Sequence, residues 1–397
     1  MVFEFNFYSA LLLIFFTQLL VFALLIFLKG IREQRLSSKL LAVFLALSAL
    51  FIFPWMAGFA GWYDNQPYRD VLFYIPFVQG LFLGPLLFFY FKSLVNDNFR
   101  IGGYNYLHFL PGALYLLWSM LVVLADKLVL KKYWLMNGIS DPDFDRWYSW
   151  LWSVSLLTYL FLTLRHYRRY RRFTYQELSF ADSAGLRWMQ RFLVAALLLV
   201  IFLIADQFSA LFTRSTYVLS WYYFMGFAAI AYYIAISAYG QDYGLLAKIH
   251  FNPPQAETYS VINQHDPAGS AGLIEEDGFQ PDDQLIAPLK QALLQLLEVD
   301  KIYLDPELTL TGLAREMKTN HSVLSKVINT GFGMSFNDLI NNYRVDEAKA
   351  LIANGRLKDL TMLSIAFDAG FNSKATFNRA FKKQAGITPK QYQQQLA

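Results

Sequence analysis

Seven apolar stretches, each long enough to cross about 30 Å of hydrocarbon as a helix, occupy the part of the chain before Gly240 and limit what it can fold into. They run from Phe5 to Leu28, Leu40 to Ala60, Val71 to Phe91, Tyr106 to Leu124, Trp147 to Leu164, Trp188 to Phe212, and Tyr217 to Ala238. The chain of 397 residues is 56% hydrophobic and 18% aromatic, and nearly all of that excess over an ordinary soluble protein lies here. Backbone polar groups inside a bilayer must be satisfied within the spanning element, so the expected N-terminal architecture, residues 1–240, is a bundle of seven transmembrane helices. Glu4 stands where a signal peptide carries basic residues, the first run is too long and no small-residue cleavage pattern follows, so that helix is expected to remain.

Lys and Arg in the short loops give an expected orientation. With the N-terminus outside, the inner loops hold twelve of them: Lys29, Arg32, Arg35, Lys39, Lys92, Arg100, Arg165, Arg168, Arg169, Arg171, Arg172 and Arg187. The outer loops hold six: Arg69, Lys127, Lys131, Lys132, Arg146 and Arg214. The loop around Lys131 opposes the trend, although Asp126, Asp141, Asp143 and Asp145 dilute it. Seven crossings then put residue 240 in the cytoplasm. The cluster RHYRRYRRF, Arg165 to Phe173, reads as a positive stop at the inner face, with an anionic-lipid or phosphate site as the alternative.

Asp206 is the outlier within the spans, because exposing an ionisable group to lipid costs about 3 kcal/mol or more. Two readings stand: a ligand pocket or protonatable switch with Gln207, Gln79 or Gln18, or a hydrogen bond that fixes helix packing. The aromatics from Tyr217 to Tyr239 suit interfacial anchoring or packing, and Pro54, Pro76, Pro85 and Pro111 are candidates for kinks.

Composition changes abruptly after Tyr239. Residues 241–283, and above all Phe251 to Asp283, have the Pro, Gly, Ser and acidic content of a flexible linker. Beyond it, Leu289, Leu293, Leu296 and Leu297 give an amphipathic helix that covers the following domain or pairs with a second subunit. Residues 284–397 then show the same pattern twice. In LTLTGLAREMKTN an apolar-faced helix leads to Asn320, an N-cap for the helix HSVLSKVIN. In TMLSIAFDAGFNSKATFNRAFKK, Gly370 ends a helix and Asn372 is the expected cap of a basic second one. A helix from about Ser335 to Ala353 joins the copies, with Phe336, Leu339, Ile340, Tyr343, Ala348 and Leu351 as its buried stripe. At 1.5 Å per residue it spans roughly 28 Å, close to the ~34 Å between successive major-groove faces. Short helix, turn and capped second helix, twice over, with a glycine turn and a basic second helix in the second copy, is a double helix-turn-helix pattern whose partner is double-stranded DNA.

The region from about Leu285 to Tyr392 resembles the DNA-binding domain of the AraC/XylS family of bacterial regulators. Ile365-Ala366, Gly370-Phe371, Phe377, Phe381-Lys382, Gly386, Thr388-Pro389 and Tyr392 stand where that family has its C-terminal signature. The resemblance implies that Ser322, Ser325 and Lys326 in the first recognition helix, and Lys374, Ala375, Asn378 and Arg379 in the second, face the groove. Lys326 and Arg379 are the expected base or phosphate contacts, since an Arg fork grips guanine O6 and N7 together. Ala375 and Thr376 depart from the family's usual Ser and aromatic, so its base preference does not transfer. Residues 301–397 hold 13 basic and 8 acidic groups, a modest excess that suits a polyanion.

Cys is absent and the five histidines are scattered, with no metal-ligand, nucleophile-elbow or phosphate-loop motif, so neither catalysis nor a cofactor is expected. The reading is an all-α, membrane-embedded one-component transcription regulator of the bacterial inner membrane, with its DNA-binding domain in the cytoplasm. Its partners would be DNA, the bilayer, a small-molecule or membrane-derived signal, a second copy of the chain, and RNA polymerase. A transporter or membrane scaffold whose helix-turn-helix domain tethers it or binds protein is the alternative, and proteolytic release beyond about residue 250 a third reading.

Overall fold

The computed structural model describes residues 4–136, 141–180, 186–212, 217–240 and 283–396. The chain divides into two compact units, Met1–Tyr167 with Trp188–His250, and Arg168–Arg187 with Phe251–Ala397. The stretch expected to be a linker lies outside the described residues up to Asp283, where a helix begins.

In the N-terminal unit α1 (Phe7–Arg32) starts from a reciprocal cap between Asn6 and Ser9 and packs along α2 (Leu36–Phe59). Two short helices follow, α3 (Tyr68–Tyr74) and α4 (Gly80–Val95), then α5 (Leu110–Val123), α6 (Arg146–Glu177), α7 (Leu186–Phe212) and α8 (Tyr217–Tyr239). α2 sits between α1, α4 and α8. Gly80 lets α4 close on α6, since a Cβ there would lie 2.6 Å from the Trp152 ring.

Five described stretches are long and apolar enough to cross a membrane: Phe7–Arg32, Leu36–Phe59, Gly103–Val129, Trp188–Phe208 and Val218–Tyr239. Their outer faces remain apolar, with Leu24, Leu28, Leu114, Leu117, Val194 and Ile201 all exposed, as lipid-facing surfaces are.

Five therefore replaces the expected seven. The third expected span, Val71 to Phe91, is two helices: Ile75 turns extended (φ −95°, ψ 114°) ahead of Pro76, and the chain resumes as helix only at Gly80. The 16 residues of α4 cover about 24 Å, short of the hydrocarbon thickness. The fifth lies in α6, where Trp, Ser and Thr dilute the apolar run. The orientation read from loop charges depended on seven crossings and loses its basis. Of the four prolines, Pro76 breaks a helix, Pro111 begins one, and Pro54 and Pro85 lie inside continuous helices.

The C-terminal unit contains α9 (Asp283–Glu298), α10 (Leu310–Glu316), α11 (His321–Phe332), α12 (Phe336–Ala353), α13 (Met362–Asp368), α14 (Lys374–Ala385) and α15 (Pro389–Leu396). Leu293 and Leu297 of α9 are fully buried in the first of two cores, so this helix covers the domain. α12 belongs to both cores. Phe336, Leu339 and Ile340 complete the first, with α9, α10 and α11; Val345, Ala348 and Ile352 complete the second, with α13 and α14. The expected stripe holds, with Tyr343 and Leu351 only partly buried.

Candidate nucleic-acid interface

The two halves are built alike. α10 and α13 have 7 residues each, α11 and α14 have 12 each. Each helix is started by a short polar side chain that accepts a backbone N–H: Thr309 from Gly312, Asn320 from Val323, Thr361 from Ser364, Ser373 from Thr376. Gly333 and Gly386 end α11 and α14 in the left-handed conformation. The cap of α14 is Ser373 and not Asn372, because Gly370 and Phe371 take up the turn and Ser373 is the last residue with extended dihedrals. Gly370 has φ +87°, and a Cβ on it would meet the Tyr303 carbonyl oxygen at 2.6 Å.

This packing sorts the side chains of α14. Thr376, Phe377 and Phe381 are buried, while Lys374, Ala375, Asn378, Arg379, Lys382 and Lys383 are exposed along the opposite face. With Met362, Thr388, Pro389, Lys390 and Gln393 they line one shallow concavity carrying five basic groups. Lys390 of α15 joins this face although the sequence pattern did not single it out. Lys383 also donates to Asp338 of α12 at 2.5 Å. On α11, Val323, Leu324, Val327 and Ile328 are buried, and Ser322, Ser325 and Lys326 are half-buried on the other side. All seven candidate residues thus lie on the two helices that follow the turns, four in the basic concavity and three on α11.

Residues 313–395 match the family described as "Helix-turn-helix domain". The C-terminal unit carries a helix-turn-helix domain of the AraC type. Regulators contain its relatives. An HTH-type transcriptional regulator of Bacillus subtilis, YtdP, is 35% identical over 91 residues, 23% of this chain and 11% of its own length. One from Staphylococcus aureus is 32% identical over 98 residues, 25% of this chain and 13% of the relative. The chain thus spans only about an eighth of the length of these relatives. A solved structure of a protein of unknown function from Listeria innocua is 26% identical, covers 27% of this chain and 96% of its own, and superposes with a TM-score of 0.25.

Outside the helix-turn-helix domain, the three candidate signal residues have separate partners. Asp206 on α7 is hydrogen-bonded to Ser220 on α8. Gln207 donates to the Ser149 carbonyl at 3.1 Å and to Ser153 Oγ at 2.7 Å on α6. Gln79 donates to the Pro76 carbonyl at 2.7 Å, bridging the break before α4.

The sequence pattern missed a cavity of about 450 Å³ in the same unit, lined by Phe73, Tyr74, Tyr115, Trp118, Trp147, Asp143 and Asp145 among others. Asp143 is buried and accepts from Tyr115 Oη at 2.7 Å and from the Val78 N–H at 2.8 Å. Asp141 accepts from Tyr63 Oη at 2.9 Å and from the Asp143 N–H at 3.0 Å. Burial raises both carboxyls well above the usual range, and for Asp141 the neighbouring Asp143 adds to it. In the sequence these residues read only as charges diluting a loop.

Proposed function

We propose that this chain is a membrane-embedded, one-component transcription regulator that binds DNA sequence-specifically through both helix-turn-helix motifs. The carrying observation is the basic, exposed face of α14, in a chain that also holds five stretches long and apolar enough to cross a membrane. In this reading Lys374, Ala375, Asn378 and Arg379 enter one major-groove segment, and Ser322, Ser325 and Lys326 the next. Arg379 contacts bases, while Lys382 and Lys390 hold phosphates. Residues 1–240 act as sensor, 241–283 as linker and 284–397 as reader, at the bacterial inner membrane with the reader in the cytoplasm. The cavity beside Asp143 is the candidate signal site, because it combines aromatic walls with buried polar groups. A signal can shift the reader only by binding two states of the sensor unequally.

Genome-wide DNA occupancy of the membrane-embedded protein, beside an Arg379→Ala, Lys326→Ala double variant, tests this. Discrete sites lost in the variant are expected, and their neighbouring genes point to the signal. Identical occupancy in the two proteins removes the sequence-specific reading and favours a tether or protein-binding role.

A further inference from the structure

Residues Arg168–Arg187, which take in the C-terminal end of α6 and reach the start of α7, belong to the C-terminal unit. α6 ends at Glu177, and Leu178, Ser179 and Phe180 after it are buried. Glu177 uses both carboxylate oxygens: Oε1 accepts from the Thr311 N–H at 3.1 Å, and Oε2 lies 2.6 Å from His321 Nε2. His321 opens α11, next to the candidate contact Ser322. Leu178 forms an antiparallel bridge with Thr309, and Ser179 donates from its N–H and its Oγ to the Leu308 carbonyl at 3.3 and 2.7 Å.

α12 supplies the other side of this seat. Asn337 Nδ2 donates to the carbonyls of Leu178 at 2.9 Å and Ser179 at 3.0 Å, and Asn341 Nδ2 to that of Ser179 at 3.2 Å. Arg344 Nη2 donates to Ser179 Oγ at 3.0 Å. Asn337, Asn341 and Arg344 are all buried, spaced four and three residues apart on one stripe of α12. A self-sufficient helical domain fills such a stripe with apolar side chains, and buried polar groups without partners cost about 1–3 kcal/mol each.

We infer that the helix-turn-helix domain is completed by residues 177–180, a segment it binds as an internal ligand, and that the seated form is the one whose first recognition helix reads DNA. This rests on the reading of the C-terminal unit as a DNA binder. Withdrawing the segment strands Asn337 and Asn341 beside the first core and frees His321 at the head of α11. The second half, with its own core and no contact to Glu177, Leu178 or Ser179 among the hydrogen bonds above, keeps its grip. The segment therefore controls one of two half-sites.

The chain has no cysteine, so a Leu178→Cys, Thr309→Cys pair across the antiparallel bridge, where opposed Cα atoms are about 5 Å apart, reports seating by disulfide formation in the full-length membrane protein. Footprinting of Glu177→Gln and of Asn337→Ala with Asn341→Ala, in the same full-length form, reports the reading. The expected result is cross-linking with DNA binding retained, and about tenfold weaker binding in the variants, with protection lost over one half-site and kept over the other. Persistence of the second half-site shows that the variants remain folded. A cross-link that abolishes DNA binding, unchanged footprints in both variants, or no cross-link at all overturns the inference. Absence of DNA binding by the unsubstituted protein, with the cross-link still forming, instead rejects the regulator reading while leaving the seat in place.

Discussion

Arg344 Nε donates to the Tyr303 carbonyl at 2.7 Å from a side chain with 0% exposure. The same guanidinium reaches the Asp305 carbonyl at 2.6 Å and Ser179, and its plane lies near the Phe371 ring of the second core. Burial lowers its pKa to about 10, so it remains charged at neutral pH and depends on these carbonyls for compensation. Arg344→Ala is expected to destabilise the C-terminal unit by about 3–5 kcal/mol, and Arg344→Lys by only somewhat less because an ammonium cannot reproduce the fork. Amide hydrogen exchange in α10 to α14 measures this; protection within 1 kcal/mol of the unsubstituted protein would contradict the joint role.

Gly370→Ala should be costly, because the residue combines φ +87° with a Cβ position 2.6 Å from the Tyr303 carbonyl oxygen. Gly333→Ala meets open space at φ +66°. Strain of order 1–3 kcal/mol applies to both, and the clash adds to the first alone. Denaturation of the two variants side by side should separate them clearly, and equal losses would refute the steric argument.

Arg379→Ala is expected to cost about 1–3 kcal/mol of DNA affinity and to relax selectivity at one base position. Lys382→Ala should weaken binding evenly across sequences and reduce the salt slope of log K by about 0.9. Titrations at several salt concentrations on two operator variants distinguish a base contact from a phosphate contact, and a swap of the two behaviours would reverse the assignments.

Burial, with Asp143 next, raises Asp141 to about 7, and burial raises Asp143 to about 6. Both values exceed the ~3.9 of an unfolded Asp, so the folded state binds these protons more tightly. Their stabilising contribution is full below about pH 4 and is lost as pH rises through about 6 to 7. The melting temperature of the protein in nanodiscs should therefore fall between pH 5 and 8, and fall less for Asp141→Asn. A flat profile in the unsubstituted chain would place both carboxylates in a more solvated setting.

Ser373→Ala should cost about 1 kcal/mol through loss of the α14 cap, visible as earlier exchange of the Thr376 amide. An unchanged Thr376 amide would mean that the first turn holds without the cap.

The reader half was legible because local signals agree there: caps, glycine stops and 3.6-residue stripes repeat in both copies, and Leu293 and Leu297 fall on the covering face. The N-terminal half misled where hydropathy alone decided. An apolar window averages across Pro76, whose effect on Ile75 is conformational and adds nothing to hydrophobicity. The Asp141 and Asp143 pair looked like loop charge because Tyr63, Tyr115 and Val78 reach it only through the tertiary fold. Asn337, Asn341 and Arg344 read as ordinary polar helix residues, since their partner lies more than 150 positions upstream.

That separation also imposes a timetable. Ser179 leaves the ribosome 165 residues before Arg344, so at about 5–20 residues per second the segment waits roughly ten to thirty seconds for the helix that will enclose it. Through that interval the Leu178 and Ser179 carbonyls wait for the Asn337 and Asn341 amides that later donate to them. The first half of the reader thus has the longest interval between its earliest residue and its last, and its maturation is set by translation of α12 and not by the arrival of its own earliest residues.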